Sequence, residues 1–372
     1  MKNRLYIFIA TIALLLSACS ESEIDTGQQK GLMPVLFSAG NMETAVTRAT
    51  APYMPKDSRF VCSMFFHAGA SDTDQSDFYS TESPLTSDVN MTTAWLRISN
   101  TQGNAVYWNK AFATENITTD SYGFDASAKC LYWQNRLNHV FLALTDNNKL
   151  KTESGADNGT LNLTPDEDKI YVAYDLTNSG YTSMAEQPDP IRAVETMSPA
   201  GTTPEANRVK LFFQHQFSQI QVNVKNAQDG SVSIIDKDLI ESVELLGVSD
   251  KGYVAYCIDS KGVVPENMFE PANAETTFEM FENTNTATGY VKSYECIAYG
   301  KLEGIRIKWK ESKVEGTILH EATADAVTER TLESGKKYIF NMELRRGVLA
   351  QISAEITPWA EGSSYSAEGS IE

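Results

Sequence analysis

Short apolar runs with a period of two, each closed by Gly, Asn, Asp, Ser or Thr, limit what this chain can fold into. They occupy residues 34–39, 60–67, 139–145, 170–176, 209–225, 240–248, 253–258, 290–299, 302–309, 337–344 and 351–357. Successive side chains of an extended chain point to opposite faces, so each run can bury one face. Long helical periodicity is scarce. Strands at this spacing, with turn residues between them, predict an all-β chain built of β-sandwiches. Residues 216–219 are expected to interrupt the 209–225 run as a bend or a helical turn. Residues 186–207 hold Pro188, Pro190, Pro199 and Pro204 among Glu, Thr and Gly, and are expected to link two sandwiches. Residues 70–93 and 101–127 read as long polar surface loops.

The N-terminus carries an address rather than a fold. Lys2 and Arg4 precede an apolar run over residues 5–16, which ends on Leu16-Ser17-Ala18-Cys19. That run is short for a bilayer-spanning helix, and its small-residue end gives a signal peptidase access. A cysteine directly after two small residues is the diacylglycerol acceptor of a bacterial lipoprotein. The alternative is an ordinary secretory leader with an incidental Cys19. Ser20-Glu21-Ser22-Glu23 offers nothing apolar to bury and reads as a solvated tether. It resembles the acidic tether of lipoproteins displayed on the outer face of an outer membrane.

The 372 residues suggest about two domains of ordinary size. A net charge of −18 argues against nucleic acid and against anionic lipid headgroups as direct partners. After the leader, no apolar run is long enough to cross a membrane as a helix.

The sequence advertises no chemistry. It lacks a GxSxG elbow, a GxGxxG turn and a P-loop. His320-Glu321 starts like an HExxH zinc site, but Ala324 stands where the second ligand belongs. Asp72, Asp74 and Asp77 resemble a fragment of a calcium loop, yet Asp77 replaces its glycine and Ser83 its bidentate Glu. Cys62, Cys130, Cys257 and Cys296 show no CxxC spacing; an exported chain permits disulfides, but Cys62 and Cys257 lie in apolar runs that suit buried thiols better. His215 is expected to be a core-edge histidine satisfied by a backbone group. No catalytic residue, metal or cofactor is predicted. Trp95, Tyr107 and Trp108 flank polar loops and are the rings most open to a ligand by this reading.

Several local patterns occur in a telling order. Leu36-Phe37-Ser38-Ala39 precedes Thr47-Arg48-Ala49; Leu131-Tyr132-Trp133 leads into Val140-Phe141-Leu142-Ala143; then comes Tyr171-Val172-Ala173. Val209-Lys210-Leu211-Phe212-Phe213-Gln214-His215, Gly335-Lys336-Lys337-Tyr338 and Ile356-Thr357-Pro358-Trp359 follow. Taken together, the order resembles the fimbrillin-type subunits of type V pili.

The resemblance implies two transthyretin-like β-sandwich domains in tandem with a detachable N-terminal strand. In its terms, residues 1–18 are the lipoprotein leader, and residues 19–48 are the tether and removable strand. Residues 49–195 and 196–347 are the two sandwiches, and residues 348–372 are a C-terminal donor segment. Cys19 would carry the lipid. An arginine-specific protease would cut after Arg48 and leave Ala49 as the new N-terminus. Ile352, Ala354, Ile356, Trp359, Tyr365 and Ile371 would be the donor-strand residues. Implied partners are other pilus subunits, the outer membrane through the lipid, and a host or bacterial surface receptor. Two other roles remain open: a membrane-retained anchor or tip subunit, and a monomeric glycan-binding surface lipoprotein.

Overall fold

The computed structural model describes residues 32–41, 54, 56–67, 89–108, 130–146, 163–166, 169–177, 180–226, 240–259, 262–270, 277–312, 319–345 and 348–358. Among these the chain is all-β, with two short 3-10 turns at Met184–Glu186 and Glu205–Asn207. The first half gives β1 (Phe37–Asn41), β2 (Arg59–His67), β3 (Val89–Ile98), β4 (Asn104–Tyr107) and β5 (His139–Asp146). Next come β6 (Leu163–Asp166), β7 (Lys169–Asp175), β8 (Pro190–Met197) and β9 (Val209–His215). The second half gives β10 (Ser218–Asn226), β11 (Ile240–Ser249), β12 (Lys251–Ala255), β13 (Met268–Phe269), β14 (Thr277–Glu279) and β15 (Phe281–Glu282). It ends with β16 (Lys292–Ser312), β17 (Leu319–Thr331), β18 (Lys336–Arg345) and β19 (Val348–Pro358).

Seven strands close a barrel in the order β1-β4-β3-β2-β5-β8-β9. Its interior is filled by Phe37, Phe60, Met64, Leu96, Tyr107, Phe141, Leu211 and Phe213, all fully buried. Strands β2 and β5 are buried on both faces. Phe60, Cys62, Met64, Phe141 and Ala143 point into the barrel. Val61, Phe65, Val140, Leu142 and Leu144 point out, into a second core with Val172, Val254 and Tyr256. Double-sided burial explains why both strands read as nearly unbroken apolar runs rather than as alternating ones.

That second core is shared with an eight-stranded sheet in the order β14-β11-β16-β10-β18-β19, to which β15 and β17 add through β16. A four-stranded sheet, β13-β12-β7-β6, completes the fold. Strand β16 serves two neighbourhoods. Its first part pairs with β10 and β15, its second with β11 and β17. Gly300 lies between the two parts at φ +98°, and a Cβ there would meet Ser249 Oγ at 2.8 Å. Glycine alone adopts this angle readily, so one strand can pass from one set of partners to the other.

The structure corrects several sequence expectations. Residues 186–207 are not a linker: β8 runs through them and pairs with β5 over eight positions, from His139↔Met197 to Asp146↔Pro190. Pro190 fits because proline is tolerated as the first residue of a strand. The proline-rich remainder is ordered by buried Asn207, whose amide bonds Gly201 N, Gly201 O and Thr203 O at 2.7–2.9 Å. The barrel therefore continues past residue 195 through β9. Strands β3 and β4 occupy parts of the two stretches read as polar loops, and the 290–299 and 302–309 runs are one strand, β16. The break within the 209–225 run falls at Gln216 and Phe217, between β9 and β10. In agreement with the expectation of thiols rather than bridges, all four described cysteines are free.

Gln187 ties the sheets together from a fully buried position. Its amide nitrogen donates to Leu176 O (2.9 Å) and Ile297 O (3.3 Å), and its oxygen accepts from Ile297 N (2.7 Å). Gln187→Ala leaves these backbone groups unpaired, and is expected to cost about 3 kcal/mol by urea denaturation.

Candidate functional site

The site with the clearest functional geometry is the slot that β1 occupies. Side chains at 35, 37 and 39 alternate into the barrel: Val35 and Phe37 are fully buried and Ala39 nearly so. Leu36, on the other side, is also buried. Phe37 meets Tyr107 and Phe141 edge-on, with ring centroids 6.3 and 5.6 Å apart. It thus reaches across the barrel to β5. Such edge-to-face packing adds to the burial energy of the ring.

Backbone bonds hold both sides of the strand. It runs parallel to β9, from Phe37↔Val209 to Asn41↔Phe213, and antiparallel to β4 at Phe37↔Ala105 and Ser38↔Asn104. Val209 N donates to Leu36 O and Ala39 N to Gly103 O, each at 2.8 Å. Upstream, Val35 N donates to Leu131 O (2.9 Å) and Trp133 N to Met33 O (3.0 Å). Tyr107 Oη donates to Val35 O at 2.9 Å, and Arg208 Nη1 to Phe37 O at 3.1 Å. Without β1, β4 and β9 would each present a row of unpaired groups beside an apolar groove, the template to which an extended segment adds.

The C-terminal segment starts as part of the chain's own sheet. Strand β19 is an edge strand, and pairs antiparallel with β18 from Lys336↔Pro358 to Arg345↔Val348. Ile352, Ala354 and Ile356 lie opposite Met342, Phe340 and Tyr338. Ala354 and Ile356 are exposed, Ile356 by 39%. Trp359, Tyr365 and Ile371 lie outside the described residues, as do Cys19, Arg48 and Ala49 and the acidic residues Asp72, Asp74 and Asp77. Arg48 stands in sequence between β1 and β2, so a cut after it would separate β1 covalently from the rest of the barrel.

Other expectations change. Tyr107 and Trp108 are buried, at 1% and 3% exposure, and belong to the fold rather than to an open ring surface. Trp95 is half-buried and meets Trp108 edge-on at 6.5 Å, while the Arg59 guanidinium lies 4.2 Å over the Trp108 ring. His215 is buried, but its Nδ1 faces Asp189 Oδ1 at 2.6 Å, a carboxylate rather than a backbone group. The pairing joins β9 to the residue just before β8, 26 residues earlier. No group of three or more potential metal ligands occurs among the described residues, and no described helix is long and apolar enough to cross a membrane.

The family profile described as fimbrillin-like matches residues 81–359. The chain belongs to the fimbrillin-like family. As a fimbrillin-like protein it is a subunit of a cell-surface fimbria and associates with other fimbrial subunits. Among solved structures, it is similar to a candidate cell adhesion protein from Bacteroides uniformis (14% identity, TM-score 0.49), covering 88% of this chain and 99% of that one. A second, from Bacteroides ovatus, has 14% identity and TM-score 0.48, covering 90% and 100%. The tip fimbrial protein Mfa3 from Porphyromonas gingivalis, with a C-terminal truncation, has 10% identity and TM-score 0.41, covering 88% and 99%. No curated protein matches the fimbrillin-like chain.

Two predictions concern the strand slot. Phe37→Ala opens a cavity between β1 and β5 and is expected to cost about 4 kcal/mol. Hydrogen exchange should quicken at the β9 amides 209–213 and not at the β10–β18 pairing. The second concerns His139, which is buried and packs against Trp133 at 5.0 Å, beside the segment that enters the slot. Its Nδ1 bonds Leu137 O at 2.8 Å, and its Nε2 accepts from Gln134 N at 3.3 Å, a pairing that fits only the neutral ring. Burial pushes its pKa down to about 4, against the opposing effect of the hydrogen bond that Leu137 O accepts. Below pH 6.5 the unfolded imidazole binds a proton that the folded one refuses until about pH 4. Stability from this group is therefore fully present above pH 6.5 and falls by about 3 kcal/mol across that window. Urea titrations at pH 7 and 4.5 should show a smaller acid loss in His139→Leu than in the wild type.

Proposed function

We propose that this fimbrillin-like protein is a structural subunit of a type V pilus, exported as a lipoprotein on Cys19, cut after Arg48 and polymerised by donor-strand exchange. The reading rests on the position of β1. It is a five-residue strand between β4 and β9, and the only chain link from it to β2 passes through Arg48. One cut there turns a covalent part of the barrel into a separate strand that another can replace. Before the cut, β1 fills its own groove and keeps the subunit from pairing during export. After it, a head-to-tail contact that does not close on itself extends into a fibre. The outer membrane holds the uncut chain through its lipid, and the released fibre presents the subunits to a host or bacterial surface.

The donor would come from residues 348–372 of a neighbouring subunit. Ile352, Ala354 and Ile356 repeat the spacing of Val35, Phe37 and Ala39, as do Tyr365 and Ala367 further along. Residues 359–372 alone are longer than β1. A second reading is favoured by β19. Since residues 348–358 already pair along β18, the chain can also serve as a terminal subunit, anchor or tip, that accepts a strand and donates none.

The test is to incubate the full chain with an arginine-specific protease, sequence the new N-terminus and run an unheated denaturing gel. A start at Ala49 with a high-mass ladder, lost in Arg48→Ala and on deletion of residues 348–372, is the expected result. Cleavage at Ala49 without a ladder assigns the chain to a terminal position. A ladder that survives the C-terminal deletion removes residues 348–372 as the donor.

A further inference from the structure

A cavity of about 440 Å³ lies on the outer face of the barrel, away from the β1 slot. Strands β8 and β9 supply Arg192, Phe212 and Gln214; Glu266 and Asn267 precede β13; Tyr299 comes from β16. Arg192 and Gln214 are directly paired across β8 and β9, so both point outward at the same level. The cavity opens past Val194 and Gln214, which are both exposed. Its size is that of an ordinary small-molecule site.

Arg192 is its most informative group. Only Nη1 is engaged, donating to Ala255 O at 3.1 Å and Asn267 Oδ1 at 3.0 Å. No carboxylate stands within ion-pair distance of it among the described residues. Burial pushes the guanidinium down to about 10, which leaves it charged at neutral pH. A largely buried, charged arginine normally has an anionic partner, because desolvation without one is costly. Arg192 lines the cavity, and its uncommitted nitrogens belong to a fork of the kind that receives a carboxylate through two parallel bonds.

The remaining lining is suited to a polyhydroxylated ring. Phe212 and Tyr299 are half-buried, and Tyr299 stacks on Phe269 with centroids 3.3 Å apart, which fixes its orientation. Asn267 is locked in place by its bonds to Ala255 N (3.1 Å) and Gln216 Oε1 (3.0 Å). Gln214 has both an amide donor and a carbonyl acceptor at the mouth. Glu266 supplies an acceptor for hydroxyl groups, and it repels an anion that lacks hydroxyls to offer. Aromatic faces, amides and a carboxylate together take the apolar face and the hydroxyls of a sugar.

We propose that this cavity binds an acidic saccharide, with the sugar carboxylate on Arg192, the ring against Phe212 and Tyr299, and hydroxyls on Gln214 and Glu266. It gives the subunit a recognition site of its own, separate from the surfaces used for assembly. Polymerisation and sugar binding are therefore read by different assays, and either can fail alone.

The test titrates the full chain with methyl β-D-glucuronide, methyl α-D-galacturonide and the methyl α-glycoside of N-acetylneuraminic acid, followed by saturation-transfer NMR and calorimetry. Methyl β-D-glucoside and acetate are the controls. Saturable binding of at least one acidic sugar is expected, about tenfold weaker in Arg192→Lys, which keeps the charge and loses the fork. Gln214→Ala, at an exposed position, should weaken it several-fold while leaving the urea midpoint unchanged. Absence of saturable binding to all three acidic sugars overturns the proposal. So does equal affinity for the glucoside or acetate, or binding that neither substitution alters.

Discussion

Burial of β2 and β5 on both faces holds the molecule together. One face of each strand fills the barrel and the other forms a wall of the second core, so the two cores share a partition. All eight residues of β5 are buried. In the ring order β1-β4-β3-β2-β5-β8-β9, the β2–β5 pair lies diametrically opposite β1. The barrel is therefore anchored along one wall and closed along the other by β1, which pairs with β4 and β9. Opening it at β1 would expose the inner face of the partition but leave its outer packing untouched. Under the proposed exchange, this outer packing would hold the subunit together while the strand is replaced.

The cut proposed after Arg48 changes the tether rather than any contact. Burying side chains such as Val35, Leu36 and Phe37 stabilises the strand by roughly 2 kcal/mol each before ordering costs are set against it. While β1 is attached, its local concentration at the groove is that of a short linker, in the millimolar range. After cleavage that advantage disappears, and β1 competes on contacts alone with any segment offering the same alternation. A donor that pairs along β4 and β9 and extends past the five residues of β1 makes every bond β1 made, and more. Exchange of the proposed kind would thus be directed by length and by loss of the tether, and would need no external energy source.

The sequence displayed the fold where burial leaves a local mark. Residues 139–145 read as a strand because both faces are apolar, and the interruption of 209–225 was visible because Gln216 breaks the run. Strand β8 was hidden by its flanks: Pro188, Pro190, Pro199 and Pro204 signal loops, although Ile191 and Ala193 are buried while Arg192 and Val194 between and beyond them are not. Strand β3 was lost because Asn90, Thr92 and Thr93 give it the polarity of a loop. Of the strand slot, the inserted strand and its following arginine were legible. Its neighbours were not, because β1 meets β9 across some 170 residues and no local pattern encodes that pairing. The His215–Asp189 contact, 26 residues apart, was concealed because neither residue's spacing signals a partner. Tyr107 was judged by its polar surroundings in sequence, whereas its hydroxyl closes a buried bond to Val35 O.

Strand β9 carries three surfaces with separate duties. Its edge pairs with β1 through residues 209–213. Its inner face sends Val209, Leu211 and Phe213 into the barrel core. Its outer face gives Phe212 and Gln214 to the cavity that holds Arg192. Replacing β1 by a donor strand, as proposed, would act on the edge of β9, whereas a ligand in the cavity would meet its outer face. The two proposed events would share a strand without competing for the same atoms. Because the β8–β9 pairing that sets Arg192 opposite Gln214 lies on the far side of β9 from β1, exchange leaves it in register. Every subunit of a fibre assembled in this way would keep its outward site, so a weak affinity for a single sugar would be multiplied along the fibre by multivalency.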